Sequence, residues 1–310
     1  MSFIIVVGSL NMDFVVTVEH LPVPGETVLG RDFQMIPGGK GANQACAAGK
    51  LSAGRVSTRM IGRVGYDLFA DHLKASLAAA GVDVSGVHAT KSQPTGVALI
   101  WVDKAGQNSI VVAGGANQAL AKSDVGAMRG LMRGAGYVLF QLESPLSTVE
   151  AALRAAREEG AKTILDPAPA QPLSDAMLRE VDILTPNESE ACILLDRPAE
   201  RVDATQAAEL AAELLRKGPR AVVLKLGDAG CYYADAERTH HSPAFPVEAK
   251  DATAAGDTFN GALAVALAEG RPVPEALTFA NAAAALSATR LGAQASIPSR
   301  QEVDEFLRRS

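Results

Sequence analysis

Cysteine is scarce in this chain: Cys46, Cys192 and Cys231 are the only three in 310 residues. They are far apart, odd in number and without CxxC spacing, so neither a disulfide framework nor a zinc site is predicted. Buried, reduced thiols are the expectation. The five histidines form no HExxH pattern, and the adjacent His240 and His241 would point to opposite faces of a strand rather than share a metal. No apolar run reaches the roughly 18 residues of a membrane span. The opening MSFIIVVGSL lacks the basic region and the long apolar stretch of a signal peptide, so the cytoplasm is the expected compartment and no membrane partner is expected. Positive charge is also short. Lysine plus arginine total 29 against 35 aspartates and glutamates, a net charge of −6 with no basic cluster, which argues against nucleic acid as a partner. Neither the GxxxxGK[ST] phosphate loop nor a GxGxxG after a strand is present, which disfavours a dehydrogenase.

What remains is a chain of ordinary globular composition, 48% hydrophobic and 21% charged, long enough for a sizeable core. Short β-branched runs alternate with alanine- and leucine-rich segments. Residues 3–7 (FIIVV), 137–141 (YVLFQ), 163–166 (TILD), 182–185 (DILT) and 221–226 (AVVLKL) predict buried strands. Residues 67–80, 146–159 and 204–217 predict helices, each followed by a glycine. That alternation implies an α/β fold of three layers, a mostly parallel central sheet with helices on both faces. Two segments, 14–35 and 95–113, depart from it. Each holds two strand-like runs around a turn, Pro24-Gly25 in the first and 104–107 in the second, and they predict hairpins that project as a small β-sheet lid over residues 12–37 and 95–113. A third hairpin is expected in 225–235, turning at 227–230. No repeat or linker divides the chain, so residues 1–310 are expected to form one domain.

Four segments carry chemistry. Residues 251–261, DATAAGDTFNG, precede an apolar helical run. Small residues let backbone approach a ligand, and a helix starting near Gly256 would aim free N–H groups and its positive end at an anion, with Asp257 beside it; alternatively Asp257 merely caps the helix. Residues 38–43, GGKGAN, open a helix expected over 44–51, or form a structural turn. Residues 8–13, GSLNMD, follow the first strand, where open α/β sheets bind ligands, and Asn11 and Asp13 could hold sugar hydroxyls or form an Asx turn. In 187–190, NESE, Asn187 and Glu190 share a helix face and suit Mg²⁺ held through water; an N-cap with acidic first-turn residues is the commoner explanation.

In their joint order and spacing these segments resemble the ribokinase-like (phosphofructokinase-B type) carbohydrate kinases. The resemblance covers essentially the whole chain, adding PGET, QLESP, DPAPA, TPNE, KLGDAG and TRLGAQASIP. It implies an ATP-dependent phosphorylation of ribose at its 5-hydroxyl, with Asp257 as general base. It also implies sugar contacts from Asn11, Asp13, Gly39, Lys40, Gly41, Asn43, Glu143 and Asp257. The ATP site it implies comprises Asn187, Lys225, Leu226, Gly227, Asp228, Gly230, Ala254, Ala255, Gly256 and Asn281. Mg²⁺ would be held through water by Asn187 and Glu190. K⁺ would be held by carbonyls around Asp251, Thr253, Ser287, Arg290 and Gly292, with Ser296. A homodimer through the lid is implied as well. The chain departs from the family's DTxGAGD, which here reads DATAAGD, and Lys225 stands where some members carry threonine. A kinase of 2-deoxyribose, fructose or a nucleoside is the alternative, and a non-catalytic sugar or nucleotide sensor a more distant one.

Overall fold

The computed structural model describes residues 3–198, 202 and 204–309; residues 1, 2 and 310, the ends of the expected domain, lie outside the described residues. Strand β1 (Phe3–Val7) leads into β2 (Asn11–Val18) and β3 (Arg31–Gly38). Helix α1 (Lys40–Ser52), β4 (Thr58–Val64), α2 (Leu68–Ala79) and β5 (Val82–Ala89) follow, then β6 (Gly96–Asp103) and β7 (Asn108–Ala113). The chain continues through α3 (Val125–Met132), β8 (Ala135–Phe140), α4 (Leu146–Glu158), β9 (Lys162–Leu165), α5 (Asp175–Leu178) and β10 (Ile183–Leu184). It ends with α6 (Glu188–Leu194), α7 (Ala204–Lys217), β11 (Ala221–Lys225), β12 (Cys231–Asp235), β13 (Thr239–Ser242), α8 (Ala255–Ala268), α9 (Val273–Ala288) and α10 (Arg300–Arg309).

Nine strands form one sheet in the order β13-β12-β11-β10-β9-β8-β1-β4-β5, parallel from β11 to β5 and antiparallel at β12 and β13. Alternate residues of β1 feed two cores. Ile4 and Val6 join α1, α2, α8, α9 and α10 on one face. Ile5 and Val7 join α3 to α7 on the other. This is the predicted three-layer α/β arrangement, and both faces of β1 are apolar because both are covered. The chain order along the sheet reverses beside β1: β8 to β11 run out on one side, β4 and β5 on the other. Ligands of open α/β sheets bind at such a switch, beyond the strand C-terminal ends, which here places Gly8 to Leu10 and Gln141 to Glu143 side by side.

The second sheet has four strands, β3-β2-β6-β7. The two predicted hairpins are present, and they join through parallel pairing of β2 with β6. β7 is exposed along its whole length. One helical expectation shifts. Helix α1 starts at Lys40 rather than Gln44, because Gly39 takes φ 90° at its N-cap, a left-handed value open to glycine. The expected 225–235 hairpin forms as β11 and β12, turning through Gly227–Ala229 to Gly230.

Candidate functional site

Helix α8 begins directly after Ala254, whose φ is 58°; the Ala255 N–H donates to the Ala252 carbonyl at 3.1 Å, and the N–H groups of Gly256 and Asp257 lie in the first turn, where a helix supplies no carbonyl partner. Asp257 is buried in that turn. Its Oδ2 accepts from Asn43 Nδ2 at 3.0 Å and its Oδ1 from Gln44 Nε2 at 3.1 Å. Burial pushes its carboxyl up to about 6, and the neighbouring Asp166 charge adds to the rise, against Lys40 and the two amide hydrogen bonds. A carboxylate in this state is ionised at neutral pH and is a stronger proton acceptor than a free aspartate.

Around Asp257, β1 and α1 come together. Gly41 packs so closely on β1's exit that a Cβ there would lie 2.6 Å from the Ser9 nitrogen, so α1 can approach only with glycine at that position. Glu143 accepts from the Ser9 hydroxyl and from the Lys40 backbone N–H at 3.0 Å. Asn11 is held by Asn117, whose Nδ2 donates to Asn11 Oδ1 at 2.7 Å. Burial pushes the Asp13 carboxyl up to about 7, with the charges of Glu143 and Asp257 adding to it. The Lys40 ammonium pays desolvation, yet the carboxylates of Asp257, Asp166, Glu143 and Glu190 outweigh it and hold its pKa above the ordinary lysine value. Asn11, Asp13, Lys40, Asn43, Glu143 and Asp257 therefore converge from four separate elements. Asn43 Oδ1 is buried with no hydrogen-bond partner, an acceptor available to a hydroxyl.

Two cavities adjoin this cluster. One, of about 450 Å³, is lined by Lys40, Asp166, Asn187, Glu190, Lys225 and Asp257 among others. The other, of about 470 Å³, is lined by small and apolar residues including Phe245, Val247, Ala284, Ala285 and Ala288, with Gly227, Asp228, Gly230 and Asn281. Lys225, Gly227, Ala252 and Gly256 belong to both. Leu226 is buried just behind the Gly227 turn. Asn281 donates to the carbonyls of Ser242 and Pro243, at 3.0 and 3.1 Å, and so pins the cavity wall. Asn187 and Glu190 form the reciprocal capping box of α6: Asn187 Oδ1 accepts the Glu190 N–H at 2.8 Å, and Glu190 Oε2 accepts the Asn187 N–H at 2.7 Å. The capping reading of NESE is thus realised, while both side chains still line the charged cavity. Burial raises the Glu190 pKa, Asp166 adding to the rise and Lys225 opposing it.

The expected cation residues also come together. The Asp251 carboxylate accepts from the backbone N–H of Thr253 and of Gly292, both at 2.9 Å, tying the loop before α8 to the turn after α9. Ser287 and Ser296 hydroxyls lie 2.9 Å apart, fully buried. The Arg290 guanidinium points to Glu302 instead, leaving only its carbonyl for a cation. The oxygens of this turn suit a hard cation. Among the described residues no cluster of three or more histidine, cysteine, aspartate or glutamate side chains is arranged to hold a metal. Four residues of the site carried no role in the sequence reading: Gln44, Asn117, Gln141 and Asp166. Asn117 lies about a hundred positions from Asn11, and no short motif marks the contact.

The pfkB family carbohydrate kinase model matches residues 1–300. The chain belongs to the pfkB family of carbohydrate kinases. A ribokinase of Haemophilus influenzae is 42% identical over 302 residues, covering 97% of this chain and 97% of that one. Among solved structures of this family, Arabidopsis thaliana ribokinase complexed with ribose and ATP superposes with a TM-score of 0.92 at 36% identity, covering 100% of both chains. Thermotoga maritima ribokinase gives a TM-score of 0.90 at 40% identity, covering 99% of this chain and 100% of that chain.

Proposed function

We propose that this chain transfers the γ-phosphoryl group of ATP to the 5-hydroxyl of D-ribose, with Asp257 as general base. The observation that carries the reading is the buried Asp257 carboxylate, raised to about 6, at the first turn of α8 where sugar-type donors and the charged cavity meet. Ribose occupies the space bounded by Asn11, Asp13, the Gly39–Gly41 backbone, Lys40, Asn43 and Glu143. The ATP phosphates lie in the charged cavity and the base in the apolar one, between the Lys225–Gly230 turn and Asn281. The 5-hydroxyl oxygen forms a bond to the γ-phosphorus as the bond to the ADP oxygen breaks, and the hydroxyl proton passes to Asp257. The N–H groups of Gly256 and Asp257 face the charge that spreads over the phosphoryl oxygens, so positioning and electrostatics supply most of the rate. The ribokinase relatives, one of them complexed with ribose and ATP, support this substrate over fructose or a nucleoside.

Asn187 and Glu190 would hold Mg²⁺ through water, and that ion would offset phosphate charge when bound. The carbonyls around Asp251, Thr253, Ser287, Arg290 and Gly292, with Ser296, would hold K⁺, which would stiffen the loop before α8. We read the chain as one kinase unit working in the cytoplasm, where ATP is supplied. Phe33, Met35, Leu99 and Val111 stand exposed on one face of the lid, and a homodimer in which two lids cover each other on that face would bury them. Leu99→Asp should then give a monomer by light scattering; a wild-type monomer at micromolar concentration with full activity counts against the dimer. An ATP-consumption screen over ribose, 2-deoxyribose, fructose and adenosine tests the substrate. Ribose should give the highest kcat/KM, and a clear preference for fructose or adenosine would overturn the assignment.

A further inference from the structure

We infer that Asp166 is a positioning residue that ties the Lys225 ammonium, at the junction of the two cavities, to the Asp257 carboxylate through the side-chain amide of Gln44. The inference rests on the reading of Asp257 as the base. Asp166 is buried just past the end of β9, where its backbone N–H donates to the Phe140 carbonyl at 2.9 Å. Its Oδ1 accepts from Lys225 Nζ at 3.0 Å, and its Oδ2 accepts from Gln44 Nε2 at 2.9 Å. The same Gln44 nitrogen donates to Asp257 Oδ1 at 3.1 Å. An amide nitrogen has two hydrogens, and here one goes to each carboxylate. The amide cannot turn over, because Gln44 Oε1 accepts from Gln141 Nε2 at 2.6 Å and a flip would set that oxygen against both carboxylates. Lys225 Nζ also stands at the mouth of α8: a Cβ on Gly256 would lie 3.5 Å from it.

The bridge holds two carboxylates close together in a buried place, so the Asp166 charge disfavours that of Asp257. The charged groups around Asp257 are Lys40 from α1, Asp13 from β2 and Asp166 beyond β9, with Lys225 of β11 and Glu190 of α6 on the far side of Asp166. Lys225 neutralises Asp166 and thereby softens its effect on Asp257. Loss of Lys225 leaves Asp166 uncompensated and strengthens the proton affinity of Asp257, whereas loss of the Asp166 charge weakens it. A donor phosphate that engages Lys225 acts in the same direction as losing it. Arrival of the donor therefore makes Asp257 a better base for the acceptor hydroxyl.

The test is a ¹³C-carboxyl NMR titration of Asp257 in the ligand-free full chain, its signal assigned by loss in Asp257→Asn. Asp166→Asn should lower the midpoint by about one pH unit and Lys225→Met should raise it by about one. The double variant should return near the wild-type midpoint. The acid limb of kcat/KM for the sugar should move in the same two directions. A merely structural role would lower activity without moving the midpoint in opposite directions. The inference is overturned if the midpoint stays fixed or moves the same way in both single variants. Lys225→Met strands a buried charge and is the variant at risk of misfolding. If it does not fold, Asp166→Asn decides alone: a downward shift supports the bridge, and no shift or an upward one overturns it. The titration needs no substrate, so opposite shifts in a protein that phosphorylates no sugar would leave the bridge standing and sink the phosphoryl-transfer reading instead.

Discussion

The two adjoining cavities are nearly equal in volume, about 470 and 450 Å³, and opposite in chemistry. The larger is walled by alanines, Phe245 and Val247, and its one buried amide, Asn281, is occupied with neighbouring carbonyls. The smaller is walled by two lysines and four carboxylates, Asp166, Glu188, Glu190 and Asp257, and burial raises the carboxyls of Glu190 and Asp257 among them. An apolar slot of small side chains takes a flat ring by shape and gives affinity that is equal in ground and transition states. A crowded charged pocket next to a helix N-terminus acts on charge that changes during reaction. On the proposed function the difference teaches that kcat is decided on the charged side and KM for ATP on the apolar side, although the same four residues, Lys225, Gly227, Ala252 and Gly256, border both.

Substitutions break that comparison if they mix the two effects. The largest loss is expected at the charged side. Asp257→Asn keeps the size and most of the hydrogen bonding but not the proton acceptor, and kcat should fall ~10²–10⁴-fold with a smaller change in sugar affinity; steady-state kinetics on ribose would show it, and near-normal kcat would reduce Asp257 to a helix cap. On the apolar side, Ala285→Phe should raise KM for ATP by about 10- to 100-fold through steric exclusion while kcat at saturating ATP stays near wild type. A fall in kcat alone would mean the slot does not hold the nucleotide base.

The pH dependence sharpens the same contrast. Asp257 must be ionised to accept a proton, and its pKa stands near 6 rather than at the ordinary carboxylate value. Activity should therefore be full at pH 8 and fall as the pH drops through about 6, roughly tenfold per unit below the midpoint. Asp13, raised to about 7 by burial and the charges of Glu143 and Asp257, titrates alongside, so the midpoint belongs to the pair. The smallest effect is expected from the loop behind α8. K⁺ added to tetramethylammonium buffer at constant ionic strength, with Mg²⁺ saturating, should raise kcat/KM several-fold on the scale of one ordered loop residue, and Na⁺ less. A flat response would mean that the Asp251 hydrogen bonds to Thr253 and Gly292 already preorganise the loop.

Much of this was readable before any coordinates. The strands at 3–7 and 221–226, the helices at 146–159 and 204–217 and the two lid hairpins carry periodic or turn signals strong enough to survive in the fold. β4 and β5 carry none as clear: TRMIGRV is broken by Arg59 and Arg63, which find Asp83 and Asp124 only in the folded chain. The start of α1 was misplaced because a positive-φ glycine cap depends on the close approach of β1. At the site, residues inside glycine-rich motifs were legible, since such motifs are local. Gln44 and Asp166 were not, because their 2.9 Å contact joins positions 122 residues apart and follows from the order of strands in the sheet.

The central claim is that the charged cavity moves a phosphoryl group onto a sugar 5-hydroxyl. ³¹P NMR of the wild-type enzyme with MgATP and ribose tests it most directly, with 5-deoxyribose as the paired substrate. Ribose should yield ADP and one phosphomonoester coupled to the C5 protons, and 5-deoxyribose should yield neither. A product phosphorylated at another carbon, or equal turnover of 5-deoxyribose, would contradict the account.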